Sequence, residues 1–161
     1  RNIALAARRF PQARFFGLDI SAQMLATAEA SLARVGLSAK VRLAQADAPD
    51  FDPQVLFGRD RFDRVYISYS LSMIPGWQAC VRQALGVLAR GGSLHIVDFG
   101  SQQRLPRWFK AMLRAWLAKF HVASRDDLRE VLESEAQKAG ASLEFESLFR
   151  GYAVHAIMRK N

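Results

Sequence analysis

Apolar positions along this chain switch repeatedly between two rhythms. Short runs, alternating or continuously apolar, read as strands, and longer runs at three- and four-residue spacing read as helices. Ile3, Ala6, Ala7 and Phe10 fall on one helical face that Pro11 closes. "RFFGLD" (Arg14 to Asp19) reads as a short buried strand, and Ser21 then offers an N-cap oxygen to a helix running to about Val35, where Gly36 stops it. "KVRLAQAD" (Lys40 to Asp47) alternates as a strand should, and "RFDRVYISYSL" (Arg61 to Leu71) is a longer strand rich in β-branched and aromatic residues. A helix from about Trp77 to Leu88, ended by Gly91-Gly92, leads into the strand "SLHIVDF" (Ser93 to Phe99). Two further helices follow, Leu105 to Phe120 and Ser124 to about Ala139, the second capped by Gly140. "SLEFESLF" and "YAVHAIMRK", joined through Gly151, then read as an antiparallel hairpin. The alternation predicts an α/β fold, doubly wound, with a mostly parallel sheet and a C-terminal antiparallel hairpin. No internal repeat, low-complexity tract or linker interrupts it, so one domain over 1–161 is expected.

Composition narrows the partners more than the fold. The 161 residues are 50% hydrophobic and 24% charged, the balance of a globular domain, which excludes a fibrous repeat or a disordered tail. Twenty-three Lys and Arg against fifteen Asp and Glu give a net charge of +8, which favours anionic partners. The single cysteine, Cys80, can form neither an intrachain disulfide nor a Cys-rich zinc site, so a reducing, cytoplasmic setting and no metal are expected. No apolar run approaches the roughly 20 residues that span a bilayer, so any membrane contact is expected to be peripheral.

In an open parallel sheet a ligand sits beyond the carboxyl ends of the strands, which makes the residues ending each apolar run the candidates for chemistry. Asp19 ends the first strand, where its carboxylate can accept from the two vicinal hydroxyls of a ribose; an Asp there can equally cap the following helix. Asp47 ends the second and can accept from an exocyclic amine, with Ala48 leaving room for a flat ring, or it can form an Asx turn before Pro49. Ser68, Tyr69 and Ser70 at the end of the third place hydroxyls and an aromatic ring there, with no strong base.

The succession "FFGLDIS", "AQAD", "FDRVYISYSLSMIP" and "LGVLARGGSLHIVDFG" resembles the central and later motifs of class I S-adenosylmethionine-dependent methyltransferases. The resemblance implies a Rossmann-like methyltransferase fold and S-adenosylmethionine as cofactor. Asp19 would bind the ribose hydroxyls, Ile20 would pack on the adenine, Asp47 with Ala48 beside it would accept the adenine amine, and Ser68 and Tyr69 would border the methionine moiety. Ala89 to Gly92 would form the turn before the fifth strand of the family, with Arg90 where many relatives have Pro. Relatives begin with a strand and a Gly-rich loop, whereas Arg1-Asn2 resembles the residues just after that loop. A first strand is therefore expected to be missing between the strands ending at Asp19 and Ser70, with an incomplete cofactor pocket. The intact protein is expected to be an enzyme and this stretch alone inactive.

"YSLSMIPGWQ", "VDFG", "LPRWF" and "KFHVASRDDL" look more particularly like the N-methyltransferases of bacterial betaine-lipid synthesis, which act on the amino group of diacylglyceryl-homoserine. That likeness implies a lipid-linked or similar small amine as substrate. Leu105 to Phe120 gives it separate support: Leu105, Trp108, Phe109, Met112, Leu113, Trp116, Leu117 and Phe120 follow helical spacing, with Arg104, Arg107, Lys110, Arg114 and Lys119 between them and no acid. A helix so patterned suits an anionic membrane surface at the inner face, touched through 104–120, although the same stripe can simply cover a sheet. Tyr69 and Phe99 are candidate aromatic faces for a cationic product, and His121 a candidate proton acceptor. His95 and His155 fall within strand patterns. Two rivals remain: a nucleic-acid methyltransferase, disfavoured because the Asn-Pro-Pro-aromatic tetrad for extracting a base is absent, and a non-catalytic scaffold of the same fold.

Overall fold

Ser21 caps a helix because its hydroxyl oxygen accepts the Met24 N–H at 3.3 Å, satisfying a donor that the first helical turn leaves free. The computed structural model describes residues 2–100 and 127–161 in this way. Within the stretch expected as one domain they gather into two compact units, Arg1–Asp60 and Arg61–Asn161.

In the first unit, α1 (Asn2–Arg9) precedes β1 (Phe15–Asp19), α2 (Ala22–Arg34) and β2 (Val41–Gln45). The strands pair in parallel from Phe15↔Val41 to Asp19↔Gln45. Ala7, Leu32, Leu37 and Val41 are buried together, with Ile3, Ala4, Phe15 and Leu43 packed around them. Gly36, at φ 69°, stops α2 where the sequence predicts. Phe10 departs from its expected place on the buried face: it lies past the last helical residue and is 59% exposed, so the helical period does not carry through to it. A short helix, α3 (Pro53–Phe57), was not expected. Asp52 accepts the N–H groups of Gln54 and Val55, and Pro53 opens the first turn. Five residues are too few to establish an apolar period.

In the second unit, β3 (Phe62–Ser68) ends three residues before the expected Leu71, because Tyr69 turns the chain at φ 53°. A 3-10 turn (Leu71–Met73) and α4 (Trp77–Gly86) follow. The helix stops before the expected Leu88, since Val87 caps it and β4 (Leu88–Phe99) has already begun. Gly91-Gly92 therefore do not end a helix, and Ala89 to Gly92 is not a turn ahead of the strand. They form an irregularity inside it, between the pairs Phe62↔Leu88 and Arg64↔Ser93. A Cβ on Gly92 would lie 2.8 Å from the Ala89 carbonyl oxygen and 3.1 Å from that of Asp63, so only glycine fits the close approach.

After β4 come α5 (Leu128–Ala139), β5 (Ala141–Leu148), a 3-10 turn (Phe149–Gly151) and β6 (Ala153–Lys160). The expected helix Leu105–Phe120 and the start of α5 at Ser124 lie outside the described residues. The sheet order is β3-β4-β6-β5: β3 parallel to β4, and β6 antiparallel to both of its neighbours, which realises the predicted hairpin. Among the described residues neither β1 nor β3 has a second strand partner. Leu94, Ile96, Ala156 and Met158, all at 0% exposure, form one face of the four-stranded sheet. Val81 and Leu85 of α4 and Leu132 of α5 are buried with them, α4 packing on β4 and α5 on β5. No helix among the described residues is long and apolar enough to cross a membrane.

His95 and His155 occupy the opposite face, as half-buried sheet residues with rings 6.3 Å apart. Partial burial holds the His95 pKa below its ordinary 6.5. The positive charges of His155, Arg159 and Arg64 add to this, and Glu144 opposes it. Ser93 Oγ lies 2.9 Å from its Nε2. Since the unfolded chain takes up the proton first on acidification, His95 contributes stability that is complete above pH 6.5 and is lost as pH falls toward the lowered folded value. His95→Gln should therefore flatten the acid-side decline of the thermal midpoint; an unchanged decline would assign it to other groups.

Candidate functional site

Parallel pairing gives β1 and β2 a common direction, so their carboxyl ends arrive side by side. Asp19 stands opposite Gln45, and the Ala46 N–H donates to the Asp19 carbonyl at 3.2 Å. Asp47, two residues beyond Gln45, thus sits at the same end as Asp19. The half-buried Asp19 uses Oδ1 to accept the Ser21 N–H at 2.9 Å, which holds the N-cap residue in place while Ser21 itself caps α2. Its Oδ2 has no partner among the described residues, so one acceptor oxygen stays available. Ile20, between the strand and α2, is 67% exposed.

Asp47 is exposed, and Ala48 next to it half-buried. The turn that follows is closed by main chain, Asp50 N–H to Asp47 C=O at 3.2 Å, rather than by the Asx geometry considered for it. The Asp47 carboxylate has no hydrogen-bond partner among the described residues. Gln45 was not singled out from sequence, yet its Nε2 donates to the Ile20 carbonyl at 3.0 Å and ties the β1–α2 turn to the end of β2. A polar residue at the last position of an alternating strand was its only signal.

Ser68 and Tyr69 belong to the second unit, at the carboxyl end of β3. The Tyr69 N–H donates to Val97 C=O at 2.7 Å, and Ser68 C=O accepts the Ser70 hydroxyl at 3.2 Å. The Tyr69 ring, 39% exposed, lies 5.0 Å from Phe99, which in turn meets Tyr152 edge-on at 5.8 Å. The two aromatic residues chosen as candidate faces are thus in contact, and Tyr152, unforeseen, joins them. Gly100 makes this possible: its N–H donates to Tyr152 C=O at 2.9 Å, and a Cβ there would collide with the Gly151 carbonyl. Cys80 is buried in α4. No cluster of three or more His, Cys, Asp or Glu residues that could hold a metal occurs among the described residues. His121 lies outside them.

Two oxygen acceptors at adjacent parallel strand ends beside an exposed apolar side chain suit a nucleoside, with hydroxyls and an amine on its edges and an apolar ring face. A family model described as "Methyltransferase domain" matches residues 1–92, more than half of the chain. The chain belongs to this family of S-adenosylmethionine-dependent methyltransferases, with the mixed α/β sheet of that fold. It is 28% identical over 138 residues, 80% of its length, to a phosphatidylethanolamine N-methyltransferase of Cereibacter sphaeroides, of which it covers 66%. It is also 28% identical over 105 residues, 64% of its length, to a ubiquinone/menaquinone biosynthesis C-methyltransferase of Sinorhizobium fredii, covering 39% of that protein. The chain thus spans two thirds or less of these relatives. Among solved structures, the plantazolicin methyltransferase in complex with a triazolic desmethylPZN analog and SAH matches with a TM-score of 0.71 at 15% identity, over 99% of this chain and 72% of that one.

The positive φ of Tyr69 costs a non-glycine residue about 1–2 kcal/mol. Tyr69→Gly should therefore be more stable than Tyr69→Ala by about 1 kcal/mol in urea unfolding, since both lose the ring and only alanine keeps the strain. Equal stabilities would show that the backbone relaxes there without cost.

Proposed function

We propose that the protein containing this chain transfers a methyl group from S-adenosylmethionine to the amino group of a lipid-linked homoserine or a similar small amine. The observation that carries the cofactor half is the pairing of Asp19 and Asp47 at one end of β1 and β2, each with an oxygen that no described residue occupies. Asp19 Oδ2 would accept from ribose hydroxyls while Oδ1 stays on the Ser21 N–H, Ile20 would cover an adenine face, and Asp47 with Ala48 would take its amine edge. Ser68 and Tyr69 would border the methionine moiety.

When bound, the cofactor supplies a methyl group on a sulfonium, a carbon already activated for in-line displacement. The acceptor nitrogen must arrive neutral, with its lone pair aimed at that carbon, so orientation dominates and the chain need supply no acid. The C–S bond breaks as the N–C bond forms, leaving a thioether and an ammonium that gives up one proton. The Tyr69 and Phe99 rings, already in contact, offer π faces to the cationic nitrogen. His121 is the proposed acceptor for its proton.

The amine acceptor is supported by similarity to a protein named for N-methylation of phosphatidylethanolamine, itself an amine-bearing lipid. The basic, apolar-striped sequence 104–120 supports peripheral contact with an anionic membrane from the cytoplasmic side. The net charge of +8 would also suit a nucleic-acid partner, but the basic residues are interleaved with a large apolar stripe and the base-extracting tetrad is absent.

Two measurements test the reading. Asp19→Ala should weaken S-adenosylmethionine binding tenfold or more in calorimetry, about the loss expected for hydrogen bonds to a charged acceptor. Unchanged affinity would remove Asp19 from the site. With a labelled methyl donor and a lipid extract, label should enter amine-bearing lipids; label in quinones or RNA would overturn the acceptor.

A further inference from the structure

Asp98 is the one acid in the apolar run "SLHIVDF", and it is 1% exposed at the next-to-last position of β4. It shares a sheet face with Leu94 and Ile96, both fully buried. A carboxyl group placed there costs several kcal/mol unless its oxygens are hydrogen-bonded. Both are, and both by main chain. Oδ1 accepts the Phe99 N–H at 2.7 Å, and Oδ2 accepts the Ser72 N–H at 3.2 Å. Among the described residues no Lys, Arg or His forms an ion pair with it. Its oxygens are therefore committed to fixing backbone.

The backbone they fix is unusual. Ser72 lies in the 3-10 turn after β3, and between that turn and the last residue of β3 stand Tyr69, at φ 53°, and Ser70. Segment 69–72 is held at both ends by consecutive residues of β4: Tyr69 N–H on Val97 C=O at 2.7 Å, and Ser72 N–H on the Asp98 carboxylate. The Phe99 N–H, the other group Asp98 accepts, is the main chain of the residue whose ring Tyr69 contacts. A left-handed non-glycine residue persists only where its surroundings over-determine it, and such residues concentrate at functional sites. The surroundings include the Tyr69 main-chain bond, the buried Asp98 carboxylate, the Ser70 hydroxyl on Ser68 C=O and the burial of Leu71 and Ser72.

We propose that Asp98 is a positioning residue for the acceptor side of the site. It acts through Tyr69, stapling the 69–72 segment to the end of β4 so that the Tyr69 and Phe99 rings keep their mutual arrangement. The positioning stands on the geometry of this unit alone, and its consequence for methyl transfer rests on the function proposed above. Asn cannot substitute, because it offers one acceptor oxygen and presents an NH2 group to the other main-chain donor.

The test uses the protein labelled with 3-fluorotyrosine. The chain contributes three tyrosines, Tyr66, Tyr69 and Tyr152, whose fluorine resonances in the protein that contains it are assigned by single Tyr→Phe replacements. In Asp98→Asn the Tyr69 resonance should shift toward its random-coil position and sharpen, while that of Tyr66, on the same strand, stays. Methyl transfer should fall roughly tenfold in kcat/KM, the scale of one lost hydrogen bond to a charged acceptor, and Asp98→Asn should add nothing further in a Tyr69→Ala background. A Tyr69 resonance that stays in place would overturn the proposal whatever the activity, and so would a shift of Tyr66 as large as that of Tyr69, which marks general loosening of the sheet. If the Tyr69 resonance moves while methyl transfer is unaffected by either Asp98→Asn or Tyr69→Ala, the positioning holds and the placement of Tyr69 in the site fails. Should Asp98→Asn lose its cooperative unfolding transition, Asp98→Glu is read by the same criteria, since it keeps both acceptor oxygens but one methylene further out.

Discussion

Parallel pairing of β1 with β2 is the constraint on which the functional reading depends. Because both strands run the same way and stay in register to Asp19↔Gln45, two acids 28 positions apart in sequence finish at one end of one sheet. Shifting the register by one residue would turn every side chain of β2 to the other face and move Asp47 relative to Asp19. Burial opposes that slip: Val41 packs with Ala7, Leu32 and Leu37, and Leu43 packs against this cluster. The Gln45 side chain, bonded to the Ile20 carbonyl, locks the same register at the end where the acids sit. Packing at one end of the strands and a polar tie at the other thus fix the position of a carboxylate pair that touches neither.

The second unit divides its work in another way. Its buried sheet face, with α4 and α5 upon it, is apolar apart from Asp98, whereas among the described residues both non-glycine positions with positive φ, Tyr69 and Phe149, lie at one end of the sheet. Tyr69 follows β3, and Phe149 belongs to the turn leading into β6, whose first residue pairs with Phe99. Strain gathered at one end of an otherwise relaxed sheet is the distribution expected of a scaffold with a working rim. The aromatic series Tyr69, Phe99 and Tyr152 occupies that rim, and the buried Asp98 carboxylate anchors the chain behind it.

Much of this was legible in the sequence because the relevant signals are local. Ser21 and Gly36 bracket α2 through a hydroxyl acceptor and a left-handed backbone, both of which act within a few residues. The strands "SLEFESLF" and "YAVHAIMRK", joined through Gly151, marked the hairpin. What escaped depended on distant partners or very short elements. The helix Pro53–Phe57 is shorter than two turns, so the Asp52-Pro53 cap was its only mark. Gly91-Gly92 resembled a helix stop, but the early pairing of Leu88 with Phe62 drew those glycines into a strand. Asp98 was not singled out within "SLHIVDF", because its importance emerges only once Ser72, 26 residues earlier, is seen bonded to it. The candidate acids themselves were readable from position alone, while the oxygen that Asp19 keeps uncommitted was not.

The most direct test of the central claim is a crystal structure of the protein with S-adenosylhomocysteine bound. Ribose hydroxyls should lie within hydrogen-bonding distance of the Asp19 carboxylate, with the adenine against Ile20 and its amine edge toward Asp47. A nucleoside bound elsewhere, with Asp19 Oδ2 making no contact to it, would contradict this.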